Sequence, residues 1–158
     1  MAATFLWETD FDRLMFIDAD IEFSPEDVAK LWNLDADVAV GIYAMKKPGK
    51  GIYAGWQNGE LIDIDQMQPV EELDYAGTGF MMIKREVFED FCAKWPEREH
   101  REREDGGKSF RWFDPRQKED IYLSEDYAFC EDFRKLGGKI VCDTTIRLKH
   151  YGLYPYGS

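Results

Sequence analysis

The chain has 158 residues, 44% hydrophobic and 15% aromatic, which fits a single globular domain (1–158) with one core. Its 20 Lys and Arg stand against 32 Asp and Glu, a formal net charge of −12 that argues against nucleic acid or an anionic membrane as a partner. Three cysteines, Cys92, Cys130 and Cys142, form no CxxC pair, which argues against a disulfide framework or zinc site and suits a reducing cytoplasm.

The start MAATFLWETDFD lacks a signal-peptide pattern, and no apolar run reaches ~18 residues, so a soluble, cytoplasmic chain without a membrane span is expected. Leu14-Met15-Phe16-Ile17 is a continuous apolar run, the pattern of a strand buried on both faces of a parallel sheet. It runs into Asp18 and Asp20. Two carboxylates there repel each other unless a cation sits between them, and this placement marks Asp18 and Asp20 as ligands of Mg²⁺ or Mn²⁺, the alternative being a structural turn. The pairs Asp10/Asp12, Asp35/Asp37 and Asp63/Asp65 border polar turns and read as solvated surface.

Ser24-Pro25-Glu26-Asp27 caps a helix reaching about Leu34, with Val28, Leu31 and Trp32 on one face. Val38 to Ala44 is a second strand, residues 46–51 are a loop, and Ile52 to Ile64 is a hairpin turning at Asn58-Gly59. Glu71 to Ile83 is strand-like and broken by Gly77-Thr78-Gly79, either a plain bulge or a close approach of backbone to ligand. Lys84 to Trp95 is an amphipathic helix, and Glu97 to Lys108 reads as an exposed charged loop.

Ser124 to Leu136 is a capped helix ending at Gly137-Gly138. Glu125 and Asp126 open it, where acids complement the helix dipole or, alternatively, supply a general base. Glu-Asp also occurs at 26/27, 89/90, 104/105, 119/120 and 131/132, mostly as surface. Lys139 to Cys142 opens a last strand leading to Arg147-Leu148-Lys149-His150-Tyr151. His150 either ligates Mn²⁺ or caps that strand, and Arg147 or Lys149 offsets phosphate charge.

Taken in order, FIDADIEFSPEDV, VAVGIYAMKK, YAGTGFMMIKREVFE and LSEDYAFCEDFRKLGGKIVCDTTIRLKHYG resemble a GT-A-fold glycosyltransferase, most closely the family-2-like enzymes of phages and large DNA viruses. The resemblance spans nearly the whole chain. It implies an α/β, three-layer GT-A fold with a mainly parallel mixed sheet, and transfer of a sugar, with inversion, from a nucleoside diphosphate sugar to a saccharide or other hydroxyl acceptor. By position, Asp18 and Asp20 match the DxD motif, His150 the histidine completing the Mn²⁺ or Mg²⁺ site, and Asp126 the base. Gly77-Thr78-Gly79 matches the loop between acceptor and donor sugar.

One departure is that DxD falls at Asp18, ahead of which the family carries a nucleoside-binding strand and loop. Residues 1–9 resemble only the helix before the DxD strand. An N-terminally truncated fold is expected, with an uncovered position beside Leu14 to Ile17 and either self-association as a homo-oligomer or weak donor affinity. The alternatives are an inactive GT-A remnant that binds a sugar or protein, and a metal-dependent phosphoryl-transfer enzyme or hydrolase.

Overall fold

Short, mostly continuous apolar runs build the central sheet of the computed structural model, which describes residues 1–46, 53–102, 104, 106–152 and 155–156. The five strands stand in the order β1 (Arg13–Ile17), β8 (Phe80–Lys84), β3 (Val38–Val40), β13 (Ile140–Asp143) and β6 (Val70–Leu73). Successive side chains alternate between faces. Leu14, Phe16, Val38, Val40, Met81 and Ile83 enter one apolar cluster, with Phe5 of α1 (Ala2–Glu8), Phe88 and Phe91 of α3 (Arg85–Lys94) and Phe129 of α4 (Glu125–Lys135). Met15, Ala39, Phe80 and Met82 enter the other, with Leu31 of α2 (Pro25–Asn33). The result is an α/β fold in three layers.

The sheet is mixed, but not mainly parallel: only β3 and β13 pair in parallel, while β1–β8, β8–β3 and β13–β6 are antiparallel. Strand β1 stands at the end of the sheet, half-buried, with Ile17 41% exposed. An apolar run reports that both faces are covered, which they are, and carries no information about who stands alongside. The position beside β1 opposite β8 has no partner strand among the described residues.

Local signals translate directly. The Asp27 carboxylate accepts from the Ser24 N–H at 2.8 Å and Ser24 Oγ at 2.9 Å, closing the N-terminus of α2. Asn58 and Gly59, at φ +54° and +80°, turn the hairpin of β4 (Gly55–Gln57) and β5 (Glu60–Leu61), and β4 pairs on its other side with β7 (Tyr75–Ala76). The short β2 (Ile21–Glu22) pairs with β14 (Lys149–Tyr151), which pairs with β15 (Pro155–Tyr156). Residues 47–51 of the expected loop and Ile52 of the expected hairpin lie outside the described residues, as do Arg103 and Asp105 of the charged stretch.

That charged stretch is partly a ladder rather than a loop. Glu99–Arg101 (β9) pairs with Lys108–Phe110 (β10), because exposed charged side chains leave the backbone free to pair while Phe110 buries. The second acid pair of α4 also departs from expectation. Glu131 and Asp132 are buried, held by Arg98, Arg116 and Lys118 from other segments and by Lys135 of the same helix. Asp132 accepts from Arg116 at 2.7 and 3.0 Å and from Arg98 at 2.7 Å, and Glu131 pairs with Lys135 at 2.7 Å and Lys118 at 3.1 Å. Arg116 and Lys118 belong to β11 (Arg116–Lys118), whose hairpin partner β12 (Ile121–Leu123) runs directly into Ser124. The network therefore anchors the segment that leads to Asp126. No helix among the described residues is long and apolar enough to cross a membrane.

Candidate active site

Where β1 ends, the Asp18 N–H donates to Gly79 O at 2.9 Å, and the chain turns through Ala19 to Asp20. Asp20 O accepts from the Tyr151 N–H at 2.8 Å, and the β2–β14 ladder sets His150 opposite Ile21. Those backbone bonds bring two sequence-distant side chains together: His150 Nε2 lies 3.4 Å from Asp20 Oδ1. His150 Nδ1 is 2.9 Å from Ala44 O. A carbonyl can only accept, so Nδ1 carries the hydrogen and the ring is fixed with Nε2 toward the carboxylate. The Lys46 ammonium donates to Asp20 Oδ2, and that bond holds the Asp20 carboxyl below its ordinary value.

The Gly77-Thr78-Gly79 turn separates this group from Asp126. A Cβ on Gly79 would stand 2.7 Å from Asp18 Oδ2 and 2.8 Å from Tyr43 Oη, and one on Gly77 would collide with Tyr43 Oη and lie 3.5 Å from Asp126 Oδ2. The turn thus lets backbone approach two carboxylates and a phenol at once, which side chains at Gly77 and Gly79 would block. Tyr43 Oη accepts from the Gly79 N–H at 3.2 Å, and its ring meets that of His150 edge-on at 5.1 Å. Burial pushes the Tyr43 hydroxyl up, so it stays protonated. Gly79→Ala is expected to destabilise the chain by about 1–3 kcal/mol through overpacking. Thermal melting beside the wild type checks this, and an unchanged melting temperature would show that Asp18 and Tyr43 give way freely.

Asp126, at the start of α4, is half-buried, and burial raises its carboxyl above the ordinary range, opposed in part by the Thr78 N–H. A cleft of about 400 Å³ gathers Asp126, Tyr127, Gly77, Tyr43, Lys46 and His150. That volume suits a small ligand. Asp18 flanks the Gly79 turn and Asp20 is tied to the cleft through Lys46 and His150.

Other expected residues stand elsewhere. Glu125 is exposed and Thr78 half-buried. Arg147 and Lys149 line a neighbouring cleft of about 330 Å³ with Glu22 and Ser24. There Lys149 pairs with Glu22 at 2.7 Å and Arg147 donates to Thr144 O at 2.6 Å. Among the described residues, the cation lining the Asp126 cleft is Lys46. Among the described residues no three His, Cys, Asp or Glu side chains are gathered to hold a metal ion, so Asp18, Asp20 and His150 do not form one cluster. Tyr43, Lys46 and Tyr127 were not singled out in the sequence. Lys46 opens a Lys-Lys pair just past a strand, and Tyr127 adjoins Asp126, which were the only signals.

Ten solved chains match this one in structure. Among them is the crystal structure of A197 from STIV, with a TM-score of 0.54 and 22% identity over 96% of this chain. At that identity the likeness is one of fold. This chain spans 63% of the length of that structure. No family model and no curated protein matches the chain.

Proposed function

We propose that the chain is a metal-dependent glycosyltransferase of GT-A type, moving a sugar from a nucleoside diphosphate sugar to an acceptor hydroxyl. The observation that carries this is the joining of three separately coded features in one cleft: a carboxylate raised by burial, a glycine turn closing on Tyr43, and the Lys46 and His150 that pair with Asp20.

Asp126 takes the proton of the acceptor hydroxyl as its oxygen bonds to the anomeric carbon. The bond from that carbon to the diphosphate oxygen breaks on the opposite side, its electron pair leaves with the diphosphate, and configuration inverts. A carboxylate oxygen and an oriented imidazole suit Mn²⁺ or Mg²⁺ once diphosphate oxygens complete the shell, so Asp20 and His150 would hold the ion. When bound, that ion supplies charge neutralisation for the departing diphosphate. Lys46 adds positive charge at the same end, and Tyr43 fixes the turn against which the sugar lies.

Incubation with Mn²⁺, a panel of nucleoside diphosphate sugars and hydroxyl acceptors tests the reading. Sugar transfer is the expected result, whereas hydrolysis alone would make the chain a hydrolase and binding without turnover a sugar-binding module. A second expectation concerns the metal. Mn²⁺ with a nucleoside diphosphate should raise the melting temperature, since a ligand bound only by the native state stabilises it, and Asp20→Ala should abolish the shift. A metal response that survives in Asp20→Ala would remove Asp20 from the site.

A further inference from the structure

The cleft has an aromatic side that the donor chemistry leaves unused. Tyr127 follows Asp126 on α4 and lines the cleft with it. Its ring is held in place by two others: Trp56 of β4 donates its indole N–H to Tyr127 Oη at 3.2 Å, and the Tyr75 ring lies 5.4 Å away, tilted by 47°. Trp56 and Tyr75 are cross-strand partners of β4 and β7, so one short sheet supplies both supports. Arg134 fixes the second of them, its guanidinium 5.8 Å from the Tyr75 ring centre and 2.7 Å from Asp74.

Charge distinguishes the two ends of the cleft. Lys46 and His150 gather on Asp20, whereas Tyr127 adjoins Glu125 and Asp126, with no cation paired to either acid among the described residues. Tyr43 stands between them, its ring against His150 and its hydroxyl at the glycine turn beside Asp126. A braced aromatic ring next to a carboxylate offers an apolar face and a group that only accepts hydrogen bonds. A pyranose meets both, presenting a C–H face to the ring and hydroxyl donors to the acid. An acidic or phosphorylated sugar would bring its charge against Glu125 and Asp126.

We infer that Tyr127 is the stacking platform of a saccharide subsite that takes a neutral pyranose, with Trp56 and Tyr75 as its positioning residues. Its role as the acceptor subsite rests on the transferase reading; its binding of saccharide does not. The subsite lies at the Asp126 end of the cleft, away from the Lys46 and His150 end.

Titration of the full chain with maltose, cellobiose and lactose, and with glucuronic acid and glucose 6-phosphate, tests this without any donor. The readout is the indole N–H resonance of Trp56, which touches Tyr127 directly and is assigned from Trp56→Phe. At least one neutral disaccharide should shift it saturably below about 50 mM, a millimolar affinity. Tyr127→Leu, which fills the volume without a ring, should weaken that binding by about tenfold, and Tyr127→Phe by about threefold at most. No saturable shift with any neutral disaccharide, wild-type affinity in Tyr127→Leu, or tighter binding of the anionic sugars would each overturn the inference. Turnover separates the two readings: saccharide binding without transfer defeats the transferase and keeps the subsite, whereas transfer with an unaltered acceptor KM in Tyr127→Leu defeats the subsite alone.

Discussion

Asp126→Asn is expected to lower turnover by about 10²-fold or more while leaving the fold and donor binding in place, because an amide cannot take the acceptor proton. Glu125→Gln should be much milder, since Glu125 is exposed at the start of α4 while Asp126 faces the cleft. Stability gives a second, independent readout. Burial raises the Asp126 carboxyl above its ordinary 3.8, so the fold favours the protonated form. That contribution is present below the unfolded value and is lost as pH rises through the raised folded value. At neutral pH the ionised group therefore costs stability, and Asp126→Asn should melt no lower than the wild type. The acid limb of kcat/KM should lie above that of an ordinary carboxylate and vanish in Asp126→Asn. Small, equal losses of turnover in Asp126→Asn and Glu125→Gln would reduce both acids to helix-terminal charges.

Arg116→Ala is expected to destabilise the chain by about 2–3 kcal/mol, measured by denaturant unfolding. Asp132 is 1% exposed and would keep Arg98 and Lys135 but lose its two bonds to Arg116, leaving part of a buried carboxylate uncompensated. Because β11 anchors the hairpin leading into Ser124, turnover should fall with stability. A melting temperature matching the wild type would show that Arg98 and Lys135 suffice. Acid exposes the same network from its other member. Burial works to raise the Glu131 carboxyl, and Lys135 and Lys118 overcome it, holding it at about 2 against an ordinary 4.5. Its stabilisation is complete above about 4.5 and lost as pH falls toward 2. Glu131→Gln should accordingly flatten the loss of stability across that window.

Much of this molecule is legible in local sequence. Ser24 with Asp27 starts a helix, Asn58-Gly59 turns a hairpin, and Gly137, at φ +86°, stops α4, because each acts on backbone within a few residues of itself. Strand alternation places Leu14 and Phe16 on one face and Met15 on the other, and the run ends at Asp18, beside the Gly79 turn. Strand neighbours are a different matter. A two-residue period fixes which face a side chain takes but not which strand lies alongside, so the antiparallel β8 between β1 and β3 came only from the fold.

The same limit governs the site. Asp18, Asp20, Asp126, His150 and the glycine turn were marked by their own surroundings, whereas Tyr43, Lys46 and Tyr127 acquire a role only from what the fold sets opposite them. Arg147 and Lys149 are close to His150 in sequence yet line the next cleft, since neighbours along a strand point to opposite sides and the intervening chain sets their reach. Glu131 and Asp132 looked like solvated helix surface. Their burial was decided by cations that the fold brings to them, Arg98 and Arg116 on Asp132 and Lys118 on Glu131, beside Lys135 of the same helix, because a buried carboxylate is tolerated only when it is paired or hydrogen-bonded.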